Sequence, residues 1–136
     1  MRNAAVAGSL YFAAVFALGF VLGTLRVLAI IPVLGETGAV VLELPIMLAA
    51  SWAICGWLVK RHHVPAVTKD RLVMGGLAFA LLMLAELGVS VLAFGRGVAE
   101  HFATYRALSA QLGLAAQVMF AAFPLIRYRT GAATRA

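Results

Sequence analysis

The stretch Thr37–Arg61, TGAVVLELPIMLAASWAICGWLVKR, carries a single charge, Glu43, before Lys60 and Arg61 close it. Wound as an α-helix at about 1.5 Å per residue, a run of that length spans a hydrocarbon core of about 30 Å. Three further runs share its character: about Ala4 to Ile31, about Leu72 to Phe94 and about Ala103 to Ile126. Pro32 and Gly35 end the first, Lys69, Asp70 and Arg71 precede the third, and Arg127 and Arg129 stop the fourth. The expected fold is an all-α integral membrane four-helix bundle forming a single domain over 1–136, with spans at 4–31, 37–59, 72–94 and 103–126. Strands are excluded, because an open sheet edge cannot face lipid and the alternation of a membrane barrel is missing.

Composition agrees. Of 136 residues, 64% are hydrophobic and 12% charged, where a soluble domain has roughly half and a quarter. A chain this short cannot hide that much apolar surface in its own core, so lipid is its expected solvent and the bilayer its first partner. The start, Met1-Arg2-Asn3 before an apolar stretch, imitates a signal peptide. The run to Leu25 is too long for the apolar part of one, and an uncleaved signal anchor is the expectation.

The basic residues set the orientation. Arg2, Lys60, Arg61, Lys69, Arg71, Arg127, Arg129 and Arg135 fall on one side of a four-span chain, and only Arg26, Arg96 and Arg106 on the other. The positive-inside bias then places both termini in the cytoplasm. A composition rich in Ala, Gly, Leu and Arg points to a bacterial inner membrane. The net charge of +6 reads as topology and headgroup contact, and no nucleic-acid partner is expected, because no aromatics interleave with a basic patch. Cys55 is alone and forms neither an intrachain disulfide nor a cysteine metal cluster. His62 and His63 lie on one side and His101 on the other, so the three cannot share a metal. No metal site and no cofactor is expected. Trp57, Tyr105 and Tyr128 fall near the membrane boundaries and read as interfacial anchors, whereas Trp52 lies deeper and should pack.

Charges within the runs are costly and mark pairs or wet cavities. Counting along the helices puts Glu43 about 9 Å below the outer boundary and Glu86 about 22 Å up from the inner one, at a similar depth. Arg26 lies near that boundary and can bend back toward Glu43 or Glu36. Helical spacing predicts four inward stripes: Gly19, Gly23 and Arg26; Glu43, Met47, Ala50 and Ile54; Gly76, Phe79, Met83, Glu86 and Ser90; and Arg106, Ala110, Gly113, Gln117, Ala121 and Pro124. The expected ligand or ion cluster is Arg26, Glu43, Glu86, Gln111 and Gln117, with Gln111 off its stripe and Gly19, Gly23 and Gly113 as helix-packing positions. Pro45 either breaks the second helix beside Glu43 or is an ordinary proline near a helix start. Pro124 should kink the fourth.

These residues favour a small protein that binds or transports a polar or ionic solute through an outward-facing cluster, with a homodimer or a larger membrane complex as candidate assemblies. The rival is a non-catalytic accessory subunit in which the charges are interhelical glue. An intramembrane enzyme ranks third, because paired carboxylates find no nucleophile or metal motif beside them.

Overall fold

In a computed structural model that describes residues 2–133, every regular element is helical, with no strand among the described residues. Helix α1 (Arg2–Leu25) runs through a π-helical turn (Arg26–Ile30) into α2 (Ile31–Arg61). After a short loop come α3 (Thr68–Leu92), a brief α4 (Val98–Ala103), a 3-10 turn (Thr104–Arg106) and α5 (Leu108–Ala133). Three stretches are long and apolar enough to cross a membrane: Arg2–Arg61, Thr68–Leu92 and Leu108–Gly131. Arg135 lies outside the described residues.

The first of those stretches is two helices folded back on each other. Gly35 has φ 75° and ψ 171°, a conformation open only to glycine. Along a straight helix, Arg26 and Glu43 would stand about 25 Å apart, yet their side chains meet at 3.0 Å. Pro32, at the start of α2, has no N–H for the carbonyl one turn earlier, and the π turn immediately precedes it. The reversal falls where Pro32 and Gly35 end the first apolar run. Pro45 sits inside α2 without breaking it, since Gly35 alone departs from helical geometry there.

Around the bundle, α1 and α5 each pack against both α2 and α3. Helices joined by a short loop are ordinarily neighbours, but α2 and α3 stand on a diagonal. The loop between them crosses the end of the bundle, with Val64 buried beneath it. Arg71 holds that loop by donating to the carbonyls of Pro65 (3.2 Å) and Val64 (3.4 Å). Small residues make the α1–α3 pairing close: Ala4, Ala7 and Gly8 are buried on α1. A Cβ on Gly8 would stand 2.7 Å from the Met74 carbonyl oxygen.

The fourth long helix begins at Leu108, not near Ala103, because Ala107 is extended (φ −75°, ψ 141°) after the 3-10 turn. It continues past Arg127 and Arg129 to Ala133. On α3 the buried face is Met74, Gly75, Ala78, Leu82 and Ser90, one position off the stripe expected through Gly76, which is exposed with nothing near it.

A polar bond crosses the remaining diagonal. In α5 the Phe120 carbonyl would ordinarily accept from the N–H four residues on, but that residue is Pro124. Tyr11, fully buried on α1, donates its hydroxyl to that carbonyl at 2.8 Å. The two rings stack with centroids 4.1 Å apart. Tyr11, Met74, Cys55 and Pro124 are the largest fully buried side chains, so this half of the bundle is closed. Closer to the loop, Arg127 donates twice to the Trp52 carbonyl, at 3.0 and 2.7 Å, and lies over the Trp52 ring. Trp52 also meets Phe123 edge-on, as its depth suggested.

Tyr11→Phe should therefore leave a buried carbonyl bare and lower stability by about 1–3 kcal/mol. Adding Pro124→Ala restores an N–H at that position and should recover part of the loss, as read by thermal unfolding of the four proteins in a double-mutant cycle. Gly35→Ala should cost about 1–3 kcal/mol in the same assay, from backbone strain alone.

Candidate functional site

The bundle is closed at the end carrying the 62–67 loop and open at the other. There the four long helices and the 93–107 connection surround a cleft of about 720 Å³, within the range of small-molecule sites. Its floor is Val15, Leu82 and Phe120, all nearly buried. Its mouth is marked by exposed Phe20, Val27 and Leu28 on the α1 side and Phe94 after α3. Hydrocarbon and aromatic surface dominates the walls. The polar residues among them are Arg26, Glu36, Glu43, Ser51, Glu86, Ser90, Arg96, His101, Thr104, Tyr105, Ser109 and Gln117, with Thr24 on the rim.

Sequence reasoning gathered five residues here, and the structure brings together four. Arg26, on the π turn, pairs with Glu43 on α2 at 3.0 Å. Both are only partly accessible, with side chains 31% and 13% exposed. Glu86 on α3 accepts a hydrogen bond from the Gln117 amide on α5. These two links sit on different helix pairs, so Arg26 neutralises Glu43 and leaves Glu86 with a neutral partner. Gln111 is elsewhere. It is exposed near the start of α5, outside the cleft lining, and donates to the Tyr105 carbonyl at 3.1 Å. The extended residue Ala107 shifts the start of α5 and turns Gln111 back toward the 3-10 turn.

The three glycines expected to pack helices serve the cleft instead. Gly19, Gly23 and Gly113 all line it. A Cβ at Gly113 would meet open space, at Gly23 only the side chain of Arg26, and at Gly19 only the tip of Met47. Close helix approach falls at Gly8 and Gly75, where a Cβ on Gly75 would collide with the Ala121 carbonyl. Because Gly19 and Gly23 face inward, they are not available as an external dimer seam.

Several site residues lie outside the five expected to form the cluster. Glu36, just past the reversal, accepts from the Ser109 hydroxyl at 3.0 Å and ties the turn to α5. Ser90 is nearly buried, and its hydroxyl finds no partner. The Gln117 Oε1 is likewise buried and unpartnered. Tyr105, expected at the interface, lines the cleft. Burial and the neighbouring Glu86 carboxylate push its hydroxyl above the usual phenol range. Buried polar atoms without partners are costly in a closed core. Here Ser90 and Gln117 belong to the lining of the cleft, although the unpartnered atoms themselves are buried.

Among the described residues, no group of His, Cys, Asp and Glu has the geometry to hold a metal ion. Arg26→Met should leave Glu43 unpaired and lower stability by about 2 kcal/mol, less than the ~3–5 of a fully buried pair because Arg26 keeps some access to water. Combining it with Glu43→Met should recover most of that loss, since two apolar side chains need no counter-charge; thermal unfolding of the single and double variants reads both.

No protein-family model, curated protein or solved structure matches the chain.

Proposed function

We propose that this protein is a small polytopic membrane protein that binds, and in the transport form of the reading moves, a small polar or ionic solute through the cleft at the open end of its bundle. The carrying observation is that one partly open cavity collects Arg26, Glu43, Glu86 and Gln117, together with buried polar atoms that have no partner. Charges and polar groups in an apolar bundle persist where they meet each other or a ligand. In this chain Arg26 and Glu43 do the first, and Glu86, Ser90 and Gln117 are set to do the second.

The long helices α1, α2, α3 and α5 cross the bilayer in this reading, with both termini in the cytoplasm of a bacterial cell and the cleft facing the opposite side. The clustering of basic residues at the closed end supports that orientation. The floor of Val15, Leu82 and Phe120, with Tyr11 beneath it, makes the cleft one-sided. Transport would require that floor to part, or a second copy to supply the missing path.

The accessory-subunit reading treats the same groups as glue, and the Arg26–Glu43 pair is the observation that favours it. A stabilisation screen separates the two. Wild type and Gly113→Phe are unfolded thermally with ammonium, carboxylate and neutral polyol solutes at millimolar concentration. Gly113 lines the cleft and a Cβ there meets open space, so a phenyl ring added at this position takes up cleft volume. At least one class should raise the melting temperature of the wild type alone, as a ligand of the folded state must. If none does, the cleft is not a solute site, and a stoichiometric partner retained in mild detergent becomes the expected finding.

A further inference from the structure

Building on the reading of the cleft as a solute site, we infer that its ligand is an amphiphilic primary ammonium compound, with the charged nitrogen held by Glu86, Ser90 and Gln117 and the apolar body lying along the hydrocarbon wall. Three independent features of the cleft converge on that chemistry.

Charge comes first. Glu43 is matched by Arg26, and Glu36 accepts from Ser109 at the rim. Glu86 has no Lys, Arg or His within ion-pair distance among the described residues, and its one hydrogen bond comes from a neutral amide. An anionic ligand would meet that carboxylate head-on. A neutral one would leave its charge without a direct counter-charge, since Arg26 is taken by Glu43, and Arg96, over the Phe94 ring, and His101 form no ion pair with it.

Hydrogen-bonding capacity comes second. Gln117 is oriented by Glu86, because a carboxylate only accepts and so faces the amide nitrogen. The amide oxygen is thereby left buried and unpartnered. Ser90 stands one helical turn beyond Glu86, only 5% exposed, and its hydroxyl is also unpartnered. The unused capacity is thus a carboxylate oxygen, an amide oxygen and a hydroxyl able to accept. A primary ammonium group offers three N–H donors and no acceptor. A quaternary ammonium carries the same charge but no N–H, and would leave the amide oxygen and the hydroxyl bare.

The third feature is the wall. Leu82 lies one turn below Glu86 and Phe120 nearly one turn below Gln117, and Phe16, Phe20 and Met47 extend the apolar surface. A ligand that fills this space must carry hydrocarbon, and aromatic faces add to the attraction for a cation. At the mouth the exposed Phe20 and Phe94 offer apolar surface beside polar rim groups such as Thr24 and the Arg96 guanidinium over the Phe94 ring, which suits a ligand with both an apolar body and a polar head.

The test uses the full chain in detergent or nanodiscs and follows thermal unfolding and equilibrium binding with 2-phenylethylammonium. Phenylacetate, 2-phenylethanol and the N,N,N-trimethyl analogue serve as class controls. The primary ammonium compound should stabilise the wild type by several degrees, the trimethyl analogue much less, and the acid and alcohol not at all. Glu86→Gln should lose the stabilisation. Ser90→Ala, a small change that removes one acceptor, should weaken binding by about five- to ten-fold. It keeps the proposal testable should Glu86→Gln fail to fold. If the acid, the alcohol or a polyol stabilises the wild type and the ammonium compound does not, the ligand class is wrong while the cleft remains a solute site. Equal stabilisation by the primary and trimethyl compounds, or stabilisation undiminished in both Glu86→Gln and Ser90→Ala, overturns the assignment of these three residues. If nothing stabilises the wild type beyond Gly113→Phe, the cleft reading itself fails.

Discussion

The hydrogen bond from the Tyr11 hydroxyl to the Phe120 carbonyl is the contact on which the rest of this bundle depends. Pro124 removes the helical donor for that carbonyl, and in an apolar bundle no water replaces it. A phenol from the diagonally opposite helix does so instead. Tyr11 can reach because α1 lies close to α3 through Gly8, which brings its ring into the centre of the bundle. One proline on α5 thereby fixes the relative height of α1 and α5 and fills the axis with stacked aromatic rings. α2 and α3 flank that filled centre without touching across it.

From that plug the two ends of the molecule diverge. Toward the loop end, small residues and the Arg127–Trp52 contact draw the helices together. Toward the other end, the glycines that might have closed the gap face empty space or a flexible tip, and side chains with charge take up the perimeter. The Arg26–Glu43 pair holds the α1–α2 hairpin just below the reversal, and the Glu36–Ser109 bond holds that reversal to α5. A cleft results because ion pairs span more distance than Gly–backbone contacts do, and long side chains prop the helices where small ones would let them meet. The same splay separates the two acidic positions. Arg26 reaches only one of them, and the other is left facing an amide, a hydroxyl and hydrocarbon.

Much of this was legible in the order of residues. The apolar runs foretold an all-helical chain and the Pro32–Gly35 segment the reversal, and Arg26, Glu43, Glu86 and Gln117, singled out as charges and an amide within those runs, line one cleft. Stripe registers were less legible, because periodicity fixes a face only to within about one position when nearly every residue is apolar. The true inner face of α3 passes through Gly75, not Gly76. Gln111 misled because the fourth run was read as helical from about Ala103, whereas the 3-10 turn and the extended Ala107 restart the helix at Leu108. Tyr11 gave no signal, since it acts through a partner on the diagonally opposite helix, and Ser90, on the expected inward stripe, gave no sign that its hydroxyl would lack a partner.

By itself, then, the sequence determined that the chain is helical, where its long apolar runs lie, where the chain turns back and which charges interrupt those runs, since these follow from run length, proline, glycine and the cost of charge in apolar surroundings. Only the tertiary structure decided which helices adjoin, that α2 and α3 stand apart, which carboxylate Arg26 takes and which end of the bundle stays open. Those outcomes depend on distances between residues far apart in the chain. A free carbonyl, a missing Cβ and the length of an arginine set those distances, and no local pattern records them.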